Sequence, residues 1–343
     1  METEHKRRVR YSGTHPKKFE DKYKELNPEK YKDDVQKILE KGKTPAGMHV
    51  PIMVKEILEI LQIQPGEIGY DATLGYGGHT RHMLEKLQGK GHLYATDVDS
   101  CEIEKTKERL RRNGFGEELF TAKNMNFSRI DEVSQEKFDF VLADLGVSSM
   151  QIDNPTRGFS FKVDAPLDLR LNQAEGITAA ERLKEVSEKE LIDILIQNAD
   201  EPYADKIAKQ IMIQKWRGSP IERTKDLFLA VEKALAFLPK NEQKDAVKKS
   251  CQRVFQALRI DINCEYDVLF TFLEKLPTAL KEGGRVAILT FHSGEDRLVK
   301  RAFKTYKQDG VFSSISEEVI RPSAEECYQN SRARSTKLRW AIK

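Results

Sequence analysis

Three groups of residues in this chain have types and spacing that suit chemistry. The first is residues 71–80, DATLGYGGHT, with Gly75, Gly77 and Gly78 between an apolar run and a helical one. Glycines at such a junction let the backbone come close to a ligand and leave helix N–H groups facing it. A tight turn has the same look, and the GxGG spacing is not the GxGxxG of dinucleotide enzymes. Asp97 adds to the pattern, because it ends the next β-type run about 20 residues on, where a carboxylate accepts hydrogen bonds from a ribose diol. Together these features indicate an adenosine-containing cofactor, without separating S-adenosylmethionine from NAD. The other two groups are polar ends of apolar runs. FVLA leads into Asp144, Leu145, Gly146, Val147, Ser148 and Ser149, and GRVAILTF leads into His292, Ser293, Glu295 and Asp296. Either end alone reads as a turn or a structural histidine, but two such ends on neighbouring strands converge on one cleft.

Elements that hold these groups follow from periodicity. Pro51 opens a helix with Ile57, Leu58 and Leu61 on one face, and Pro65-Gly66 closes it. Strands over 68–72, 92–97, 119–122 and 138–143 alternate with helices over 80–87 and 100–112, which predicts a parallel sheet covered on both faces. After residue 149 the alternation gives way to about 100 residues of helical texture, including 188–197, 204–216 and 224–237. A strand returns at 284–291, after a helix expected to end at Gly283-Gly284. Runs 312–320 and 336–342 are expected to pair as an antiparallel hairpin at the sheet edge. The domains predicted are an N-terminal extension (1–44), a core (45–150 and 251–343) and an inserted helical subdomain (151–250).

At 343 residues the chain is long enough for a sizeable core, and no apolar run approaches the 18 or so residues of a membrane span. The polar, basic N-terminus is unlike a secretory signal, so a soluble, cytoplasmic protein is expected. Four scattered cysteines, Cys101, Cys251, Cys264 and Cys327, form no CxxC pattern, so neither disulfides nor a metal site is expected. The net charge is only +3, but residues 1–18 hold six basic and two acidic groups, which makes the start of the chain a basic arm or a solvated tail.

Three further motifs stand apart. Arg157 to Phe161 with DAPLDLR after it mixes aromatic and charged groups, and could stack a base and hold a phosphate or tie the insertion to the core. Gln256, Arg259 and Asn263 share one polar helix face. NSRARSTKLR, from Asn330, is either a basic sheet edge or an RNA contact.

In this order the motifs resemble the ribosomal RNA small subunit methyltransferase H family, which methylates the N4 amine of a decoding-centre cytidine in 16S ribosomal RNA. The resemblance is carried by HVPIMVKE at His49, DATLGYGGHT, TDVD at Thr96, DLGVSSMQID at Asp144, RGFSF at Arg157, APLDLRL at Ala165, FQALRI at Phe255, GGRVAILTFHSGEDRLVKR at Gly283 and NSRARSTKLR. It covers roughly residues 48–343. It implies an α/β class I (Rossmann-like) methyltransferase sheet with a helical insertion, and S-adenosylmethionine contacts at Gly77, Gly78, His79, Asp97, Phe127, Asp144 and Gln151. The implied partner is 16S ribosomal RNA or the small ribosomal subunit, with neither a membrane nor a metal involved; a homodimer is compatible with it.

Asp144 is the first candidate to orient the amine, with Ser148, Ser149 and His292 as alternatives. Three departures mark a divergent branch or second copy of the family: Ala72 and Gly294 stand where the family has glycine and leucine, and the extension before residue 44 is additional. A shifted RNA target, a cofactor-binding ribosome-assembly factor without transfer activity and a nicotinamide-dependent oxidoreductase remain as alternatives.

Overall fold

The computed structural model describes residues 51–343. The N-terminal extension and its basic arm lie outside the described residues. Strands β1 (Ile68–Asp71), β2 (His92–Asp97), β3 (Phe120–Asn124), β4 (Phe138–Asp144) and β5 (Leu280–Thr290) run parallel in the order β3-β2-β1-β4-β5. Strand β4 reads FDFVLAD and buries five of its seven residues, as expected for a strand covered on both faces. The strand order reverses between β1 and β4, so the carboxyl ends of these two strands flank the crevice of the sheet.

Helices α1 (Val54–Leu61), α2 (Gly78–Leu87) and α3 (Ser100–Arg112) bring Leu61, Leu84 and Leu110 into a core with Phe140 and Leu142. Helices α10 (Glu265–Ala279) and α11 (Ser293–Gln308) cover Tyr70, Phe138 and Val141 with Phe272, Leu276 and Phe303. Burying a side chain of this size contributes about 1.5–3 kcal/mol, so both layers are strongly held to the sheet.

Between β4 and α10 the chain is helical: α4 (Ser149–Asp153), α5 (Ala179–Glu185), α6 (Glu188–Ala199), α7 (Ala204–Trp216), α8 (Thr224–Ala234) and the 23-residue α9 (Lys240–Ile262). Leu191, Leu195, Ile207, Leu227, Val231, Val254 and Leu258 form a hydrophobic core of their own there.

One sequence expectation is corrected near the C-terminus. Gly283-Gly284 does not close a helix. Helix α10 ends at Ala279, and Leu280, fully buried, already pairs with Phe138. Gly283, at φ 74, lies at the irregularity in that pairing instead. The run 312–320 contributes only the two-residue strand β6 (Ser314–Ile315) and a bridge from Ile320 to Leu338. It pairs antiparallel with strand β7 (Lys337–Ile342), as expected, with β6 at the sheet edge and β7 between it and β5. Glu317 and Glu318 follow β6, and charges of this kind keep edge strands short.

Candidate functional site

The loop after β1 is built around Asp71. Its buried carboxylate accepts from the Thr73 amide (3.0 Å) and the Thr80 hydroxyl (2.6 Å), which ties the strand end to the first turn of α2. Burial pushes the Asp71 carboxyl above the usual carboxylate range, against these two hydrogen bonds. The Gly75 amide donates to Asp97 Oδ2 (2.8 Å), and the Thr106 hydroxyl donates to the Gly75 carbonyl (2.7 Å). Gly77 has φ 71 and caps α2, and a Cβ there would stand 2.8 Å from the Thr106 methyl. Only glycine meets both demands. Gly78 opens the helix, whose first-turn amides have no partner within it.

Asp97 is held from both sides. Its second oxygen accepts from the Asp99 amide at 3.0 Å. Each carboxylate oxygen has a further lone pair, so both can still accept from a diol. Burial raises the Asp97 carboxyl above its ordinary value, with the Asp99 and Gly75 amides opposing the shift. Phe127 lies just beyond: the Met125 amide and the Asn124 side chain both donate to the Asp97 carbonyl (3.0 Å each), and the half-buried Phe127 ring packs edge-on against Phe272.

The end of β4 meets the same loop. The Asp144 amide donates to the Thr73 hydroxyl (2.7 Å), and Asp144 Oδ2 stands 3.5 Å from His79 Nε2. Asp144 Oδ1 and His79 Nε2 are buried and make no hydrogen bond among the described residues. A buried acceptor left open at a strand end is a place for a ligand or substrate donor. Ser148 and Gln151 form a capping box on α4: Ser148 Oγ accepts from the Gln151 amide (3.2 Å) and Gln151 Oε1 accepts from the Ser148 amide (2.9 Å). Each oxygen accepts one hydrogen bond, and the serine proton and the Gln151 side-chain NH2 remain as donors. Ser149 is the first residue of α4.

The end of β5 is arranged differently. His292 caps α11, accepting from the Glu295 amide through Nδ1 (3.5 Å) while Glu295 Oε2 accepts from the Phe291 amide (2.8 Å). His292 Nε2 lies 3.2 Å from Glu295 Oε1 and, like Asp144 Oδ1, is buried without a hydrogen bond among the described residues. Burial would raise the Glu295 carboxyl, but its hydrogen bond and charge pairing with His292 bring it below the usual range. Glu265, His292 and Glu295 gather ligand-type atoms within 4.8 Å of one another. The Arg259 guanidinium already meets both Glu265 oxygens (2.7 and 2.9 Å) and supplies positive charge there.

The other sequence motifs prove to be internal ties. Arg157 is buried, pairs with Asp99 (2.8 Å) and donates to the carbonyls of Arg170 and Leu171. Gln256 donates to the Asn198 carbonyl, and Asn263 joins Leu169 and Leu171 to Arg259. In NSRARSTKLR, Arg332 pairs with Asp153, and Lys337 and Arg339 pair with Asp296, leaving Arg334 as its exposed cation. Asp71, Thr73 and Thr106 escape sequence reasoning that attends to glycines. The polar residues flanking the glycines in DATLGYGGHT are the signal that could have found two of them.

A parallel sheet closed by an antiparallel strand, a glycine loop after its first strand and an acid at the end of its second define an S-adenosylmethionine-dependent methyltransferase. Residues 46–343 match the MraW methylase family, and the chain belongs to it. It is 63% identical to ribosomal RNA small subunit methyltransferase H 1 of Lachnoclostridium phytofermentans, over 100% of this chain and 94% of the relative. It is 62% identical to the protein of that name from Agathobacter rectalis, over 100% and 99% of the two chains. A solved structure of a putative methyltransferase from Streptococcus mutans in complex with SAH aligns at 13% identity and TM-score 0.41, covering 86% of this chain and 99% of its own.

Proposed function

We propose that this protein transfers the methyl group of S-adenosylmethionine to the N4 amine of a decoding-centre cytidine in 16S ribosomal RNA, in the cytoplasm. The names of its relatives support the RNA substrate, and the open Asp144 carboxylate supports the chemistry. The cofactor fits the residues present. Glycines at 77 and 78 and the first-turn amides of α2 suit its charged end, Asp97 its ribose, and Phe127 its adenine, with His79, Asp144 and Gln151 closing the pocket. Bound there, it supplies a sulfonium methyl already activated for displacement.

The remaining work falls to this chain. A cytosine amine is a poor nucleophile because its lone pair is delocalised into the ring. Asp144 accepts a hydrogen bond from the amine and orients it, a contribution typically worth roughly 10²- to 10⁴-fold. His292 is the weaker candidate, because its ring caps a helix and faces Glu295. Ser148 and Ser149 stand next to the same strand end. A base must leave its stack to reach such a site, so residues 151–250, taken as a helical subdomain inserted into a core of 45–150 and 251–343, serve to hold the RNA. Residues 151–250 carry seventeen basic and seventeen acidic groups, but within them 204–249 hold eleven basic and six acidic, the sign that phosphate contacts need. No helix among the described residues is long and apolar enough to cross a membrane.

Mass spectrometry of ribosomal RNA nucleosides from cells with and without this protein tests the proposal. N4-methylcytidine should disappear from the small-subunit RNA when the protein is absent. An unchanged level would reject the reading in favour of a shifted target or an assembly factor.

A further inference from the structure

Gly294 is unusual for its place. It lies in the first turn of α11 with helical backbone, where glycine weakens a helix and no left-handed angle calls for it. Its reason is a neighbour. A Cβ on Gly294 would stand 1.9 Å from Tyr266 Oη and 2.6 Å from Tyr266 Cζ, so the tyrosine ring fills the place of a side chain. The resemblance described above has leucine at this position.

Tyr266 projects from the first turn of α10, and three elements meet on it. Its ring centre is 5.9 Å from that of His292, at the end of β5. Its hydroxyl donates to the carbonyl of Asn198 in the last turn of α6 (3.3 Å), the same carbonyl that accepts from Gln256. Burial pushes the phenol up to about 12, with Glu295 and Glu265 adding to the shift, so it remains a donor at neutral pH. The ring is only half-buried. The β5 end that it flanks is paired with the β4 end, where Asp144 aligns with Leu289.

We propose that Tyr266, seated in the notch left by Gly294, is a positioning residue for the RNA acceptor: it locks the helical insertion to the β5 end and so sets where the target base is held. This rests on the function proposed above. It assigns to the pair a role in placing RNA and none in holding the cofactor, whose proposed residues lie at the ends of β1 to β4 and in α4.

The test uses the full chain, S-adenosylmethionine and small-subunit RNA lacking the methyl mark, with KM for RNA, kcat and cofactor Kd measured separately. Gly294→Leu should lower kcat/KM for RNA by about a hundredfold, since overpacking forces Tyr266 out of its seat, while cofactor Kd changes less than about threefold. Gly294→Leu combined with Tyr266→Leu should recover the part of that loss due to the clash, leaving a deficit no smaller than that of Tyr266→Phe. Tyr266→Phe, which keeps the ring and removes the bond to Asn198, should raise KM for RNA by about three- to tenfold, with kcat and melting temperature nearly unchanged. A double variant no better than Gly294→Leu alone, or a Tyr266→Phe protein with unaltered KM for RNA, would overturn the assignment while leaving the activity standing. A wild-type protein that does not methylate this RNA would overturn the functional reading and the assignment together.

Discussion

The ends of β4 and β5 lie side by side, and each offers a titratable side chain that sequence reasoning nominates for chemistry. They differ in what their polar atoms already do. His292 has Nδ1 engaged as a helix cap, while its Nε2, 3.2 Å from Glu295 Oε1, is buried without a hydrogen bond among the described residues, in a cluster to which Arg259 supplies positive charge. Asp144 has one oxygen near His79 and the other open and buried. A residue type at a strand end therefore says less than the inventory of its lone pairs. On the function proposed here, Asp144 is assigned to the reaction and His292 to the scaffold that shapes its surroundings.

The comparison can be broken from either side. Asp144→Asn keeps the shape and removes the charged acceptor; kcat for RNA methylation should fall about 10³-fold with little change in melting temperature, read by single-turnover transfer. Asp97→Ala should weaken cofactor binding by about thirty- to a hundredfold in calorimetry, because charge-assisted hydrogen bonds to the diol are lost.

The pH dependence of that binding follows from the raised Asp97 carboxyl. The anion is the acceptor, so affinity should fall as pH drops through a value above the ordinary aspartate range of about 3.9, and Asp97→Asn should flatten the profile. Stability has the opposite sign. A carboxyl whose folded value lies above its unfolded one stabilises the fold below the unfolded value, and this contribution is lost as pH rises through the folded one. Asp97→Asn should therefore be relatively more stable than wild type on the alkaline side of that window, measured by denaturant titration.

On the β5 side, Arg259→Ala leaves Glu265 without its partner beside a second buried acid, and should cost about 3–5 kcal/mol of stability in denaturant unfolding. His292→Ser, which can still cap α11, should change stability by about 1 kcal/mol or less and kcat by less than about tenfold. A loss like that of Asp144→Asn would move His292 into the reaction.

Much of this was legible in the sequence. The alternation of short apolar runs with helices predicts the parallel sheet, because β4 and its neighbours must be apolar on both faces. The glycine loop and Asp97 stand out because few other residues suit a close backbone approach and, on the proposed reading, a diol. What was not legible depends on distant partners. Arg157 reads equally as a phosphate ligand or an internal tie until Asp99, 58 positions away in sequence, is seen to pair with it. Gln256, Arg259 and Asn263 share a helix face that meets α6, α10 and the loop at 169–171 rather than solvent. Gly294 reads as a mere departure until Tyr266 is found in its space.

The most direct test is single-turnover transfer from S-adenosylmethionine to small-subunit RNA, with Asp144→Asn and His292→Ser compared in one experiment and N4-methylcytidine counted by mass spectrometry. The account predicts almost no product from Asp144→Asn at times when His292→Ser approaches wild type. Product from Asp144→Asn at the wild-type rate, or none from a folded His292→Ser protein, would contradict it.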